Sequence, residues 1–478
     1  MATTKKHRLV VMGDSLSQGF MSGAIHRTDI SFPRMIADAL GIRESFNHPD
    51  FSGEGGLPLN LELILNDLGE AYGSEINWWE VLPLAVRLRS RLDGIEDYWE
   101  RGKGSRAYPR RAVHHNLAVW GFEAGDASRV TEGVCRREIP TPRDNVLKQT
   151  PEIPMYRTAR RVLNPTFAND AMEWSQVRCA RELAGDGGIE NLIVYLGANN
   201  AFGTVTSLNI KYSEPSDLHR LPHERTCNLY LPEHFDILLS ALARDIDSLA
   251  ATNVFVGTVP HVTIPPATRG VSPDGTLDGG HFEYYTRPWV WDDDFDPEKH
   301  PHLTRDQARR VDDFIDGYNK IIRREAKSRG WHVCDTCGQL DKIAYRRQGG
   351  KPKFKFPSKL VRELRDHGPL NYLVENRRAK LDTRFFACDS ESPARIAKGG
   401  LFSLDGIHPT TIGYGLVADE FIKVMQTADV EFAGEIDWKA VVRGDTLVNS
   451  PPVLMSSLRT TLELLDKHGL LSSVLDLF

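Results

Sequence analysis

The chain has 478 residues, 41% of them apolar and 26% charged, with a formal net charge of −6. That length allows two to four domains of about 100–200 residues each, or one domain with large insertions. The mild acidity argues against a nucleic-acid binder, which shows a basic face or stripe. No run approaches the roughly 18 apolar residues of a membrane span, and no apolar stretch near the start forms a signal-peptide core, so the expected location is the cytoplasm.

In chain order, residues 7–12 read as a short buried strand that runs into GDSLSQG. A helix follows, with Met35, Ile36, Ala39 and Leu40 on one face and Gly41 as its stop. NLAV (116–119), LIVYL (192–196), VFVGTV (254–259) and residues 332–334 read as further strands, with helical patterns over 235–249 and 308–328. Strands alternating with helices predict an α/β fold, a parallel sheet covered on both faces. The connections over about 42–110, 262–305 and 338–400 are too long for a bare sheet. They are expected to fold as insertions over one end of it. The expected organisation is one domain over residues 1–426, followed by a helical tail, 427–478, that packs back on the body.

Ligands of an open parallel sheet bind beyond the carboxyl ends of its strands. The residues there are Gly13-Asp14-Ser15 after the first strand, Trp120-Gly121 after the second and Gly197-Ala198-Asn199-Asn200 after the third. Asp405-Gly406-Ile407-His408-Pro409 stands before a late helix. A serine hydroxyl needs a base within hydrogen-bond reach to act as a nucleophile. Histidine is such a base near neutral pH, and a carboxylate on its other nitrogen fixes the tautomer. Charge developing on a carbonyl oxygen needs preorganised donors, here the N–H groups of Ser15 and Gly121 and the amide of Asn199. Ser15 and Asp14 also suit a helix N-cap, Gly121 a turn, and Gly53 in FSGEGG competes with Gly121.

GDSLSQG, NLAVWG, GANN and DGIHP, in this order, resemble the four sequence blocks of the GDSL, or SGNH, hydrolases. The residues of that second name match Ser15, Gly121, Asn199 and His408. The resemblance spans Gly13 to Pro409 and leaves the insertions uncovered. It implies a three-layer α/β/α sandwich with a five-stranded parallel sheet of flavodoxin-like type. It also implies a serine esterase or lipase that needs no cofactor and no metal. Ser15, Asp405 and His408 would be catalytic, and Ser15, Gly121 and Asn199 would form the oxyanion hole; beside them, Asp14 reads as a support that holds the serine turn and Asn200 as a support of its loop. The α/β-hydrolase alternative lacks its G-x-S-x-G elbow here. The substrate would be a small-molecule, lipid or carbohydrate ester. Two other readings stand beside this one: a carbohydrate O-acetylesterase or acyltransferase of the same family, and a non-catalytic binding protein on a retained hydrolase fold.

Outside these blocks, Cys334 and Cys337 form a lone C-x-x-C without partners in zinc spacing and read as buried thiols. The acidic run 291–296 lacks the glycine and distal glutamate of an EF-hand loop and reads as a solvated loop. His300 and His302 read as loop residues. His261, just beyond the fourth strand, is a candidate substrate contact.

Overall fold

The computed structural model describes residues 5–109, 112–142, 150–272, 275, 277–345, 347–348, 354–457 and 459–460. Its centre is a parallel sheet of β1 (Val10–Gly13), β2 (Asn191–Tyr195), β3 (Asn253–Gly257) and β4 (His332–Cys334), in that spatial order. Val10 pairs with Leu192, Leu192 with Val254, and Phe255 with His332. Successive side chains point to opposite faces, so two cores form. Val10, Met12, Leu192, Val194, Val254 and Val256 enter one. Leu9, Val11, Ile193, Tyr195, Phe255 and Cys334 enter the other. Each buried aliphatic chain contributes about 1.5–3 kcal/mol. This two-sided burial is why the strands read as unbroken apolar runs.

The helices that cover the sheet and border its carboxyl end include α1 (Ser15–Gln18), α2 (Phe32–Ala39), α3 (Leu61–Tyr72), α4 (Val81–Glu100), α5 (Asn199–Ser207), α6 (Pro232–Asp247), α7 (Arg305–Arg329), α8 (Thr336–Ile343) and α9 (Thr411–Thr427). Leu238, Leu242 and Ile246 of α6 and Val311, Ile315 and Ile322 of α7 pack in the first core. Phe32 and Ile36 of α2 and Ile412 and Phe421 of α9 pack in the second. The ends of these helices follow local chemistry. Pro232 opens α6, Thr304 and Gln307 form a capping box before α7, and Gly330 closes α7 in the left-handed region.

Among the described residues the sheet has four regular strands, where five were expected. NLAV does run along the free edge of β1: Leu117 N–H donates to Val11 O at 2.8 Å and Val119 N–H to Gly13 O at 3.1 Å. Only Val11 and Asn116 form a parallel bridge. The outward N–H of Ala118 is taken by the side chain of Asn116 at 3.2 Å. This satisfies the edge locally and leaves no row of donors for another strand.

The insertions have structure of their own. Residues 42–110 hold α3 and α4. Residues 262–305 hold an antiparallel meander of Arg269–Val271, Tyr284–Thr286 and His302–Thr304. Residues 338–400 hold most of α8, a helix at Ser358–Asp366 and two short ribbons. In the tail, Trp438–Gly444 and Thr446–Asn449 are helical and bury Trp438, Val442, Leu447 and Val448 in the second core. Further along the tail, Val453–Ser456 is a 3-10 turn, residues 459–460 are helical, and 461–478 lie outside the described residues. No helix among the described residues is long and apolar enough to cross a membrane.

Candidate active site

β1 ends at Gly13, and Asp14 caps α1 by accepting from Leu16 N–H at 3.0 Å. Ser15 is therefore the first helical residue rather than the cap. Gly13 is needed for room and not for an unusual φ. A β-carbon there would run into the Ser17 side chain and stand 3.0 Å from the Tyr195 carbonyl oxygen. Gln176 Nε2 fastens the same point by donating to Gly13 O at 2.8 Å.

Gly121 has φ +78°, in the left-handed region where glycine carries no Cβ penalty. Its loop is held from two sides. Trp120 N–H donates to Gln18 Oε1 at 2.9 Å, and Ala124 N–H donates to Asn200 Oδ1 at 3.1 Å. Asn200 is fully buried. Asn199 opens α5, and its Nδ2 donates to Phe122 O at 2.8 Å. That bond uses one of the two amide hydrogens and leaves the other for a ligand.

Asp405 and His408 share one tight turn. His408 Nδ1 lies 3.0 Å from Asp405 Oδ2. The same carboxylate accepts from Gly23 N–H at 2.9 Å, Ile407 N–H at 2.8 Å, His408 N–H at 2.9 Å and Ser403 Oγ at 3.2 Å. Burial alone would raise this acid. The interaction with His408 and the converging donors outweigh burial and hold the group below the ordinary aspartate range. The ring of Phe20 lies against the imidazole, with centroids 4.5 Å apart.

Ser15, Gly121, Asn199, Asp405 and His408 all line one cavity of about 1070 Å³. It is at the large end of the range for small-molecule sites. Its walls are mainly apolar and come from every insertion: Ile64 and Leu68 of α3, Leu84 and Leu88 of α4, Trp289 of the meander and Phe385. Among the described residues the Ser15 hydroxyl has no hydrogen-bond partner, so the contact with His408 is not closed here. Such contacts often tighten only around bound substrate. The arrangement can place a carbonyl carbon against a hydroxyl, with N–H donors on its oxygen and a carboxylate-oriented imidazole beside it.

Gly53 is not at the cavity and packs against Tyr98. His261 does not line it either, although its neighbours Pro260 and Val262 do. His261 Nδ1, Cys337 Sγ and an Asp341 oxygen lie within 4.8 Å of one another, a set able to hold a metal ion. An arginine already stands there, however, with Arg347 Nη1 at 3.1 Å from His261 Nδ1 and 3.4 Å from Asp341. Cys334 and Cys337 are buried free thiols. The acidic run is ion-paired, Asp292 to Arg269 at 2.6 Å and Asp294 to Arg459 at 2.7 Å. Sequence reasoning missed Gln18, Gly23, Asn116, Gln176 and Ser403. Each acts through a hydrogen bond to a residue far away in the chain, which no local spacing reveals.

Two expected results follow from this geometry. Asn199→Ala should lower turnover by about 10²–10³-fold, the usual cost of one oxyanion donor, while thermal unfolding changes little. Steady-state kinetics check this, and turnover within a few-fold of the unsubstituted protein rules out the donor role. Asp14 is buried, and desolvation pushes its carboxyl up to about 7. The folded value lies above that of the unfolded chain, so folding favours the protonated acid. Stability should therefore fall as pH rises from about 4 through about 7. Asparagine mimics the protonated acid and keeps the acceptor for Leu16 N–H. The Tm of Asp14→Asn relative to the parent should therefore be more favourable at pH 8 than at pH 4, and a gap independent of pH would refute this.

Comparison with known protein families finds no match to this chain, and comparison with curated proteins finds no significantly similar one.

Proposed function

We propose that the protein is a serine hydrolase of the SGNH type that cleaves carboxylic esters through an acyl-enzyme on Ser15. The observation that carries this reading is the convergence of four distant segments, at Ser15, Gly121, Asn199 and Asp405–His408, on one apolar cavity. NLAV beside β1 supports the fold reading too. Counted as a fifth strand, it would give the flavodoxin-like order 2-1-3-4-5.

In this mechanism, His408 Nε2 takes the proton of Ser15 Oγ as the oxygen attacks the acyl carbon. Asp405 holds Nδ1–H, fixes the tautomer and stabilises the imidazolium. The tetrahedral oxygen receives hydrogen bonds from Ser15 N–H, Gly121 N–H and Asn199 Nδ2. His408 then protonates the leaving alkoxide, and a water activated by the same imidazole releases the acid. No bound group is required for any of these steps. The apolar walls favour an acyl chain over a compact polar acid.

The test is turnover of p-nitrophenyl esters of rising chain length beside an acetylated sugar. The expected result is hydrolysis that improves beyond acetate. Turnover of the acetylated sugar alone would move the assignment to a carbohydrate O-acetylesterase. Turnover of neither, by folded protein, would overturn it.

A further inference from the structure

α5 gives the cavity a ruler. Asn199, Phe202 and Thr206 all line it, at positions i, i+3 and i+7 of one helix face. Asn199 stands at the proposed oxyanion site. Thr206 lies seven residues further on, about 10 Å along the axis at 1.5 Å per residue. At that far end Arg287, just after the middle strand of the meander, donates from Nη1 to the Thr206 carbonyl oxygen and also lines the cavity. Its guanidinium lies over Trp289, 5.9 Å from the ring centroid.

Arg287 differs from two other arginines near the interior. Arg157 is paired with Glu100 at 2.9 Å, and Arg225 with Glu123 at 2.9 Å. Among the described residues no carboxylate forms an ion pair with Arg287, and one hydrogen bond uses one of its five N–H donors. Burial lowers its pKa. The acidic residues that line the same cavity are Glu152 and Asp405, and Asp405 is committed to His408. A partly desolvated guanidinium without a counter-ion is costly. A bidentate oxyanion would satisfy it with charge-assisted bonds.

We infer that Arg287 is the specificity residue of this cavity and that the substrate is an amphipathic ester, apolar along its length and carrying an oxyanion about 10 Å from the scissile carbonyl. The ester part of this inference rests on the reading of Ser15 as nucleophile; the anion subsite does not. The apolar span would lie along Phe202 and Trp289, and the anion would displace solvent from the free edge of the guanidinium. Carboxylate and phosphate both fit that fork.

The test compares p-nitrophenyl esters of matched length whose acyl chains end in methyl, carboxylate or phosphate. With the unsubstituted protein, kcat/KM for an anionic chain of the right length should exceed that for the methyl-ended chain by about tenfold or more, the worth of a charged hydrogen bond. The better of the two anionic series identifies the source. In Arg287→Gln the ratio should fall to near one, and in Arg287→Lys it should be partly kept. A ratio near one in the unsubstituted protein, or a ratio unchanged by Arg287→Gln, overturns the proposal; the first result decides even if the variant fails to fold. Calorimetric binding of the matching ω-carboxy methyl ketone to Ser15→Ala, with and without Arg287→Gln, separates the two readings. Binding weakened tenfold or more by Arg287→Gln supports the anion subsite whether or not any ester turns over. Equal binding by the two proteins counts against it.

Discussion

Ser15→Ala is expected to abolish ester turnover, and so is His408→Ala. Each should cost about 10⁴–10⁶-fold in kcat, and the double variant should be no worse than either alone. The reason is that the hydroxyl and the imidazole act as one unit. Without the base the hydroxyl stays protonated, and without the hydroxyl the base has nothing to activate. Labelling by a fluorophosphonate should vanish in Ser15→Ala. The fold should tolerate this change, because the cap of α1 is the Asp14 carboxylate and the Ser15 hydroxyl bonds to nothing among the described residues. Turnover of folded Ser15→Ala within tenfold of the parent would sink the nucleophile reading. Strictly additive losses for the pair would mean that the two groups serve separate functions.

The sheet was legible because both its faces are buried. Val10 to Met12, Leu192 to Tyr195 and Val254 to Val256 are continuous apolar runs, and such runs mark a doubly covered parallel strand. NLAV read as a strand for the same reason, yet it lies at the edge, where the Asn116 side chain replaces a neighbour. The residues around the cavity were legible at strand ends, where a parallel sheet presents its ligands. What holds them there was not. Gly23 N–H reaches Asp405 across 382 positions and Ser22 N–H reaches Ser403 Oγ across 381. These are backbone donors, and a backbone donor leaves no mark on residue type. The role of Gly13 was equally hidden. A turn and a close approach both ask for glycine, and only the position of Ser17 decides between them. In the insertions, α4 turns Leu84 and Leu88 to the cavity while Leu82 and Val86 remain exposed. A helix apolar on two sides shows weak periodicity, so its boundaries did not stand out.

Asp405→Asn is expected to lower kcat by about 10³–10⁴-fold and also to destabilise the fold. The carboxylate accepts on both oxygens: Oδ1 from Ile407 N–H, His408 N–H and the Ser403 hydroxyl, Oδ2 from Gly23 N–H and His408 Nδ1. An asparagine has one accepting oxygen. With Oδ1 kept, its NH₂ faces the Gly23 N–H, and two buried donors meet, at a cost of about 1–3 kcal/mol for the bond left unmade. The imidazole then loses its acceptor at Nδ1 and can take the tautomer that places a proton on Nε2, where the Ser15 proton must go. The pH dependence separates the two effects. Because the fold holds Asp405 below the ordinary aspartate range, its contribution to stability is complete above the unfolded value of about 4 and is lost as pH falls through the lower folded value. Unfolding of the parent should therefore gain an acid-sensitive component that Asp405→Asn lacks, while the loss in kcat persists at neutral pH. A variant with unchanged acid sensitivity would show that the carboxylate is not ionised in the fold. A variant with parental kcat would show that catalysis does not need Asp405 to orient His408.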